Sequence, residues 1–424
     1  MKSVFDFPPP LINPVGKVGF PEIRHFKLTN GIPVYLLEAG SLDVAKIEIV
    51  FPGGRPYETK RLAAITCMSQ LKEGFDGMHS AELAEKLDHC GASLSIPPSF
   101  DHIGIQVYAL TKHMLDLIPI INGIVQVPSF PERELDIFKK RTAERLKIDL
   151  SQNDVIAYRK ATEKFFGEHH PYGYSSTISD YNAIVRKDLV DHHQNTITPN
   201  TATIFLAGKP TEAMLHKIDD TIGSWQIPNR DIVSIEMPDI HNETHYVEED
   251  MHKSQSAIRI GRPLFNRTHP HYPGLYLLNT VLGGYFGSRL MKNIREDKGL
   301  TYGIHSSFET LQFAGYFNIS METERRNVKP ALQQIEKELT RLQKRLIGKE
   351  ELEVVKNYIG GYILSLMDGP LQIINMVKSS VVEGHQPDYV CDLLNQLQNT
   401  TSEQLLELAR MYFTYDDMSK VIIH

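Results

Sequence analysis

A chain of 424 residues, 41% apolar and 23% charged, is a folded protein too long for one ordinary hydrophobic core, so two or more domains are expected. Its formal net charge of −7 excludes a protein drawn to nucleic acid or an anionic membrane by its overall field. The cysteines, Cys67, Cys90 and Cys391, are far apart and form no C-x-x-C pair, which reads as reduced core thiols in a reducing compartment.

The start of the chain, Met1 to Phe7 followed by Pro8-Pro9-Pro10, has no apolar core of the kind a signal peptide carries. No later stretch supplies the roughly 18 uninterrupted apolar residues of a spanning helix, so a cytoplasmic protein without membrane partners is expected. Two apolar runs, Ile23 to Leu28 and Ile32 to Leu37, flank Asn30-Gly31 and predict a β-hairpin. A strand is predicted over Val44 to Phe51, ending at Pro52-Gly53-Gly54. Helices follow over Lys60 to Leu71 and Ser80 to Leu87, with Ser80 as N-cap of the second. Strand patterns at Ala92 to Ile96 and His102 to Leu110 lead into helices at Met114 to Val125 and Glu132 to Leu150.

The second half repeats this order. A strand at Ala257 to Ile260 precedes a helix at Pro273 to Val281, strands at Tyr302 to Ser307 and Gly315 to Met321, and a helix at Lys329 to Leu346 with a solvated charged face. Glu134-Leu135 recurs 217 positions later as Glu351-Leu352, and closing strands fall at Ile204 to Leu206 and Val421 to Ile423. A repeat this long is a duplicated domain rather than a solenoid unit. The expected architecture is α+β: two homologous domains in tandem, each a mostly antiparallel sheet with helices packed on one face. The boundaries are set at 1–228 and 243–424, joined by a linker over 229–242 between Pro228 and Pro238. Trp225, just before the linker, reads as a packing residue.

The stretch richest in information is Gly283-Gly284-Tyr285-Phe286-Gly287-Ser288-Arg289-Leu290, followed by Ile294-Arg295-Glu296-Asp297-Lys298-Gly299-Leu300-Thr301-Tyr302-Gly303. With Leu28-Thr29-Asn30-Gly31, Gly91-Ala92-Ser93-Leu94 and His170-Pro171-Tyr172-Gly173, it resembles the pitrilysin/insulinase family of zinc metallopeptidases over nearly the whole chain. The resemblance implies that Arg295 and Tyr302 hold the substrate backbone and that Gly283, Gly284 and Gly287 belong to a loop that handles substrate. The groups suit those roles. A tyrosine hydroxyl donates to a carbonyl and to the oxyanion that develops from it, and a planar guanidinium fixes a carbonyl or carboxylate with paired donors. Glycine also opens backbone conformations closed to other residues and lets a ligand approach the main chain. The ordinary alternatives are a surface ion pair of Arg295 with Glu296 or Asp297 and a core-packing strand residue at Tyr302. A phosphate-binding loop lacks its lysine and the full G-x-G-x-x-G.

Active members of that family carry H-x-x-E-H on a helix of the first domain, where histidines at i and i+4 share a face for zinc and the glutamate acts as base. Laid on this chain, the motif positions hold Ile65, Met68 and Ser69, and no histidine occurs between His25 and His79. Glu144 falls near the third ligand and reads as a helix-surface residue. His79 with Glu82 and His89, and the adjacent pairs His169-His170 and His192-His193, have no known metal-ligand spacing. The expectation is therefore no catalytic residue and no cofactor of the chain's own. By resemblance it is the non-catalytic, substrate-binding subunit of a heterodimeric peptidase, whose zinc sits in a homologous partner and whose substrate is unfolded peptide in a closed chamber. Self-association as a homodimer is a further expectation. Two alternatives stand beside this one: an active zinc metalloendopeptidase with unrecognised ligands, and a structural scaffold derived from the peptidase fold.

Overall fold

Asn30-Gly31 turns the chain where the sequence pattern places it: β1 (Arg24–Lys27) and β2 (Pro33–Glu38) pair antiparallel, with Gly31 at a φ of +89° that glycine adopts at no steric cost. A computed structural model describes residues 18–226, 237–240, 243–251 and 254–424. The first half continues with β3 (Val44–Pro52), α1 (Ala63–Gln70), the two-residue strands β4 (Gly74–Phe75) and β5 (Met78–His79), α2 (Ser80–His89), β6 (Ser93–Ser95) and β7 (His102–Leu110). It ends with α3 (Met114–Gln126), α4 (Glu132–Asp149), α5 (Asn153–Phe166), α6 (Ile178–Ala183), α7 (Arg186–Thr196), β8 (Thr203–Gly208) and α8 (Glu212–Thr221). The second half runs β9 (Tyr246–Glu249), β10 (Gln255–Leu264), α9 (Tyr272–Leu282), a π-helical segment (Met291–Asp297), β11 (Ile304–Thr310) and β12 (Gly315–Glu324). It closes with α10 (Val328–Lys344), α11 (Lys349–Leu366), α12 (Pro370–Val382), α13 (Tyr389–Asn399), α14 (Ser402–Tyr412) and β13 (Ser419–Ile423).

The duplication is visible in the strand order. The first sheet is β1-β2-β8-β3-β7-β6, and the second, taken from its β9 edge, is β9-β13-β10-β12-β11. Apart from the extra edge strand β1, equivalent strands occupy equivalent places. In each sheet one pair is parallel, β2 with β8 and β9 with β13, and the others are antiparallel.

Alternation in β3 sends Ala45, Ile47, Ile49 and Phe51 to the core shared with α1, α3, α7 and α8, and sends Lys46, Glu48 and Val50 to the opposite face. That opposite face is covered as well, which the one-face expectation did not include. Ile374 and Val377 of α12, from the second half, pack on Leu37, Val50, Phe205 and Ala207 of the first sheet. Reciprocally, Ile156, Ala157, Ala161 and Phe165 of α5 pack on Ala257, Val421 and Ile423 of the second sheet. α12 begins 217 positions after α5, so the halves exchange the same helix. Charge pins the exchange: Glu48, 1% exposed, is ion-paired with Lys46 at 2.7 Å and accepts from Lys378 of α12 at 2.7 Å. Burial pushes the Glu48 carboxyl up, and the two lysines more than reverse it, leaving it below the ordinary carboxylate range.

Several boundaries differ from the sequence pattern. The first helix starts at Ala63 rather than Lys60, because Leu62 sits in the left-handed region at φ 72° with its side chain buried in the core. Ser80 is the first helical residue of α2 and not its cap. His79 takes the N-cap position, and its backbone N–H donates to the Glu82 carboxylate at 2.9 Å. β11 begins at Ile304, which leaves Tyr302 outside the strand. Of the linker, 229–236 and 241–242 lie outside the described residues, and Met237–Ile240 is irregular. Trp225 is buried, and its indole N–H donates to Asn122 Oδ1 at 2.6 Å.

Candidate functional site

The Arg295 segment starts from a buried helix. Leu275, Leu277, Leu278, Val281 and Leu282 sink α9 into the second core, and the chain leaves it at Gly283. The Gly283 carbonyl accepts from the Ser306 backbone N–H of β11 at 3.1 Å, so the helix end is stitched to the sheet. A side-chain carbon on Gly283 would lie 2.6 Å from Ser306 N, and one on Gly284 would lie 2.7 Å from Thr280 Cα. On Gly287 it would meet the Tyr285 ring at 2.8 Å. None of the three has positive φ. These glycines make room for the protein's own atoms, and the unusual backbone conformations expected of them are not adopted.

After this loop the π-helical segment lays Met291 and Ile294 into the core and packs against α10 and β11. Arg289, 8% exposed, holds it from behind, donating from Nε and Nη2 to the two Glu351 oxygens of α11 at 2.8 and 2.7 Å. Asn293 donates to Glu338 of α10 at 2.7 Å. Glu351 is pushed up by burial and pulled down further by Arg289, Arg341 and Lys292, so it stays ionised. π-helical turns recur at functional sites because the widened turn displaces side chains from the regular helical register. Gly299, at φ +59°, ends the segment. Thr301 Oγ1 then donates to the Glu322 carbonyl at 2.6 Å, fixing the following loop on β12.

What this frame presents outward is Arg295 between two rings. Its guanidinium carbon lies 4.8 Å from the Phe286 ring centroid and 5.5 Å from that of Tyr302. Tyr302 is 90% exposed and Phe286 65%. Among the described residues Arg295 makes no ion pair with Glu296 or Asp297. Aromatic faces hold the planar group and leave its N–H edge free for a ligand. Phe286 had no role assigned from the sequence, although an exposed aromatic between Gly284 and Gly287 was the available signal.

The other candidate positions are elsewhere. Ile65 and Ser69 stand one turn apart on the partly exposed side of α1, and Met68 is buried in the core. Their hydrocarbon, thioether and hydroxyl groups do not fit a zinc site built from imidazole and carboxylate. Glu144 is exposed and pairs with Lys147 at 2.6 Å. His170 accepts from the Tyr172 backbone N–H at 3.0 Å inside its own turn, and His192 and His193 each meet a backbone carbonyl, Gly53 and Val125, at 2.8 Å. Burial holds His170 and His192 down to about 4, so both are neutral structural rings. Among the described residues no three His, Cys, Asp or Glu side chains converge as a metal set.

Comparison with known proteins places the chain in context. The family model described as "Peptidase M16 inactive domain" matches residues 183–359, a span that contains the whole Arg295 and Tyr302 segment. A Bacillus subtilis protein described as "Uncharacterized zinc protease YmxG" is 23% identical over 402 residues, covering 93% of this chain and 96% of that protein. A Helicobacter pylori "Non-peptidase homolog YmxG" is 22% identical over 413 residues, covering 92% of this chain and 91% of its own. Among solved structures, a peptidase M16 inactive domain from Pseudomonas fluorescens superposes with a TM-score of 0.85 at 21% identity, covering 95% of this chain and 98% of that one. The likeness to the solved structure establishes the two-part fold. Relatives described as protease and as non-peptidase are similar to this chain at nearly the same identity and coverage, so the question of chemistry falls on α1 and the Arg295 loop.

Proposed function

We propose that the chain is an inactive, peptidase-like member of the pitrilysin/insulinase (M16) family, a reading supported by the matching family model and the likeness to YmxG, and that it is the substrate-binding subunit of a two-chain zinc peptidase. The observation that carries this reading is the pairing of an intact Arg295 and Tyr302 with an α1 that offers Ile65, Met68 and Ser69. In this reading the N–H edge of Arg295, held between Phe286 and Tyr302, grips a peptide carbonyl or carboxylate. The exposed Tyr302 hydroxyl donates to the carbonyl oxygen next to the bond that is cut. Neither residue is a nucleophile, and zinc belongs to a homologous partner chain that closes on this one around an unfolded peptide. The same reading keeps the chain in the cytoplasm. In support, Cys67, Cys90 and Cys391 are all free.

The test is co-expression with a homologue that bears H-x-x-E-H, followed by peptide-cleavage assays on each chain and on the mixture. Cleavage is expected in the mixture alone. Arg295→Ala and Tyr302→Phe should each lower kcat/KM about a hundredfold, the scale of one lost transition-state donor, while the chains still associate. About one zinc per chain, with chelator-sensitive cleavage by this chain alone, would overturn the reading in favour of an active peptidase. Unchanged turnover in both variants would leave a scaffold.

A further inference from the structure

Four of the exposed large apolar side chains among the described residues fall in register on one helix. On α11, Val354, Tyr358, Tyr362 and Leu366 are 53%, 44%, 50% and 37% exposed and recur every four residues, forming one ridge of the helix. The duplication supplies an internal control. The equivalent positions of α4, 217 earlier, are Ile137, Arg141, Arg145 and Asp149, with Arg145 and Asp149 paired at 2.9 Å. The same helix in the same place of the same fold is thus stable with a charged ridge, and the fold itself does not require tyrosines there.

The ridge runs into the Arg295 loop. The Tyr358 ring lies 4.9 Å from that of Tyr285, the neighbour of Phe286. Beside this junction opens a cavity of about 650 Å³ whose walls include Tyr285, Arg289, Lys292, Glu351 and Val354. From Val354 to Leu366 the ridge spans about 18 Å, the reach of about five residues of extended peptide. Four partly exposed side chains are far fewer than the roughly 20–30 residues a side that a stable subunit interface uses. Charges of both signs line the cavity, Lys292, Lys298 and Arg341 against Asp297 and Glu350, so the surface favours no net charge in what it binds.

We infer that the α11 ridge is a specificity surface for the polypeptide held at Arg295 and Tyr302, selecting an extended segment with aromatic and large aliphatic side chains to one side of the gripped bond. This rests on the substrate-binding reading of Arg295.

The test titrates the full chain into two fluorescein-labelled peptides of equal charge, each about a dozen residues long. One carries Tyr, Phe and Leu where the other has Ser and Asn, and binding is read by anisotropy. The wild type should bind the apolar peptide about tenfold more tightly, the scale of one or two buried side chains. The double variant Y358Q/Y362Q, which alters side chains already about half exposed, should lose that preference and keep the affinity for the polar peptide. Arg295→Ala should weaken both peptides by one factor and leave the ratio intact. A ratio that survives Y358Q/Y362Q overturns the inference, and it is equally overturned if that variant instead stops association with the zinc-bearing homologue. A wild type that binds both peptides equally sinks the ridge alone. Indifference of both peptides to Arg295→Ala, with the ratio still lost in the double variant, sinks the Arg295 reading and leaves the ridge. No binding of either peptide overturns both.

Discussion

His192 shows how a residue that suggests chemistry can be explained by packing. Its place beside His193 raised a metal reading, which the divergence of adjacent side chains argues against. The structural role was not legible, because the ring's partner, the Gly53 carbonyl at 2.8 Å, lies far away in the chain. The ring is 1% exposed and burial depresses its pKa to about 4. A base with a depressed folded pKa stays neutral in the fold while the unfolded chain, with a value of about 6.5, takes up a proton. Between those two values the unfolded state binds more protons, so stability rises with pH there and is lost as pH falls from about 6.5 toward 4. At pH 5 this residue should cost about 2 kcal/mol relative to pH 7.5. Urea unfolding at the two pH values checks it. His192→Gln keeps a donor for Gly53 and cannot titrate, so its loss between pH 7.5 and 5 should be smaller by about that amount. Equal losses in variant and wild type would show that His192 does not titrate as argued. At the same scale, the motif spacing singled out Arg295 and Tyr302, which the fold brings together at 5.5 Å, whereas the place of Phe286 against Arg295 became visible only once the loop was folded.

At the scale of elements, the π-helical segment is held by a pair that local pattern could not disclose. Glu351 was recognisable as half of the repeated Glu-Leu dipeptide, but its bond to Arg289 joins residues 62 apart through tertiary packing. Hydrophobic period and turn chemistry predicted many of the elements, including the hairpin at Asn30-Gly31, β3, β7 and the α4 and α10 helices. Boundaries failed where a single contact decided them: the cap at His79, the left-handed Leu62, and the late start of β11 that frees Tyr302. The close approach of Ser306 and Thr280 to Gly283 and Gly284 was not legible either, since it is a fact of tertiary structure. Glu351→Gln leaves a guanidinium that is 8% exposed without its counter-charge. Because Glu351 itself is about a third exposed, the loss should be about 2 kcal/mol, below that of a fully buried pair. Urea unfolding measures that loss. If the proposed pairing with a zinc-bearing homologue yields a peptidase, the same variant should also raise its KM with Arg295 untouched, since the segment that carries Arg295 loosens. A change below about 0.5 kcal/mol would show that the pair does not anchor the segment.

At the scale of the whole molecule, the halves are interlocked rather than strung together. α5 and α12 are equivalent by their 217-residue offset, a pair the sequence reading did not draw, and periodicity says only that a helix has an apolar face, never which sheet receives it. Each crosses to the other half's sheet, and Lys378 of α12 reaches Glu48 in the first sheet. Two separately stable domains would unfold in two steps, whereas shared helices should couple them into one transition. The chain carries its own reporter, because its single tryptophan, Trp225, is buried in the first half. Val377 on α12 belongs to the second half, is fully buried, and packs on the first sheet. Val377→Ala should cost about 2 kcal/mol, from lost transfer energy and the cavity it leaves. If the halves unfold together, Trp225 fluorescence and far-UV circular dichroism should trace coincident urea curves in both wild type and variant, displaced by the same amount. A tryptophan curve that stays in place while the dichroism curve moves would show two independent domains, with the exchanged helices adding little to the coupling between them.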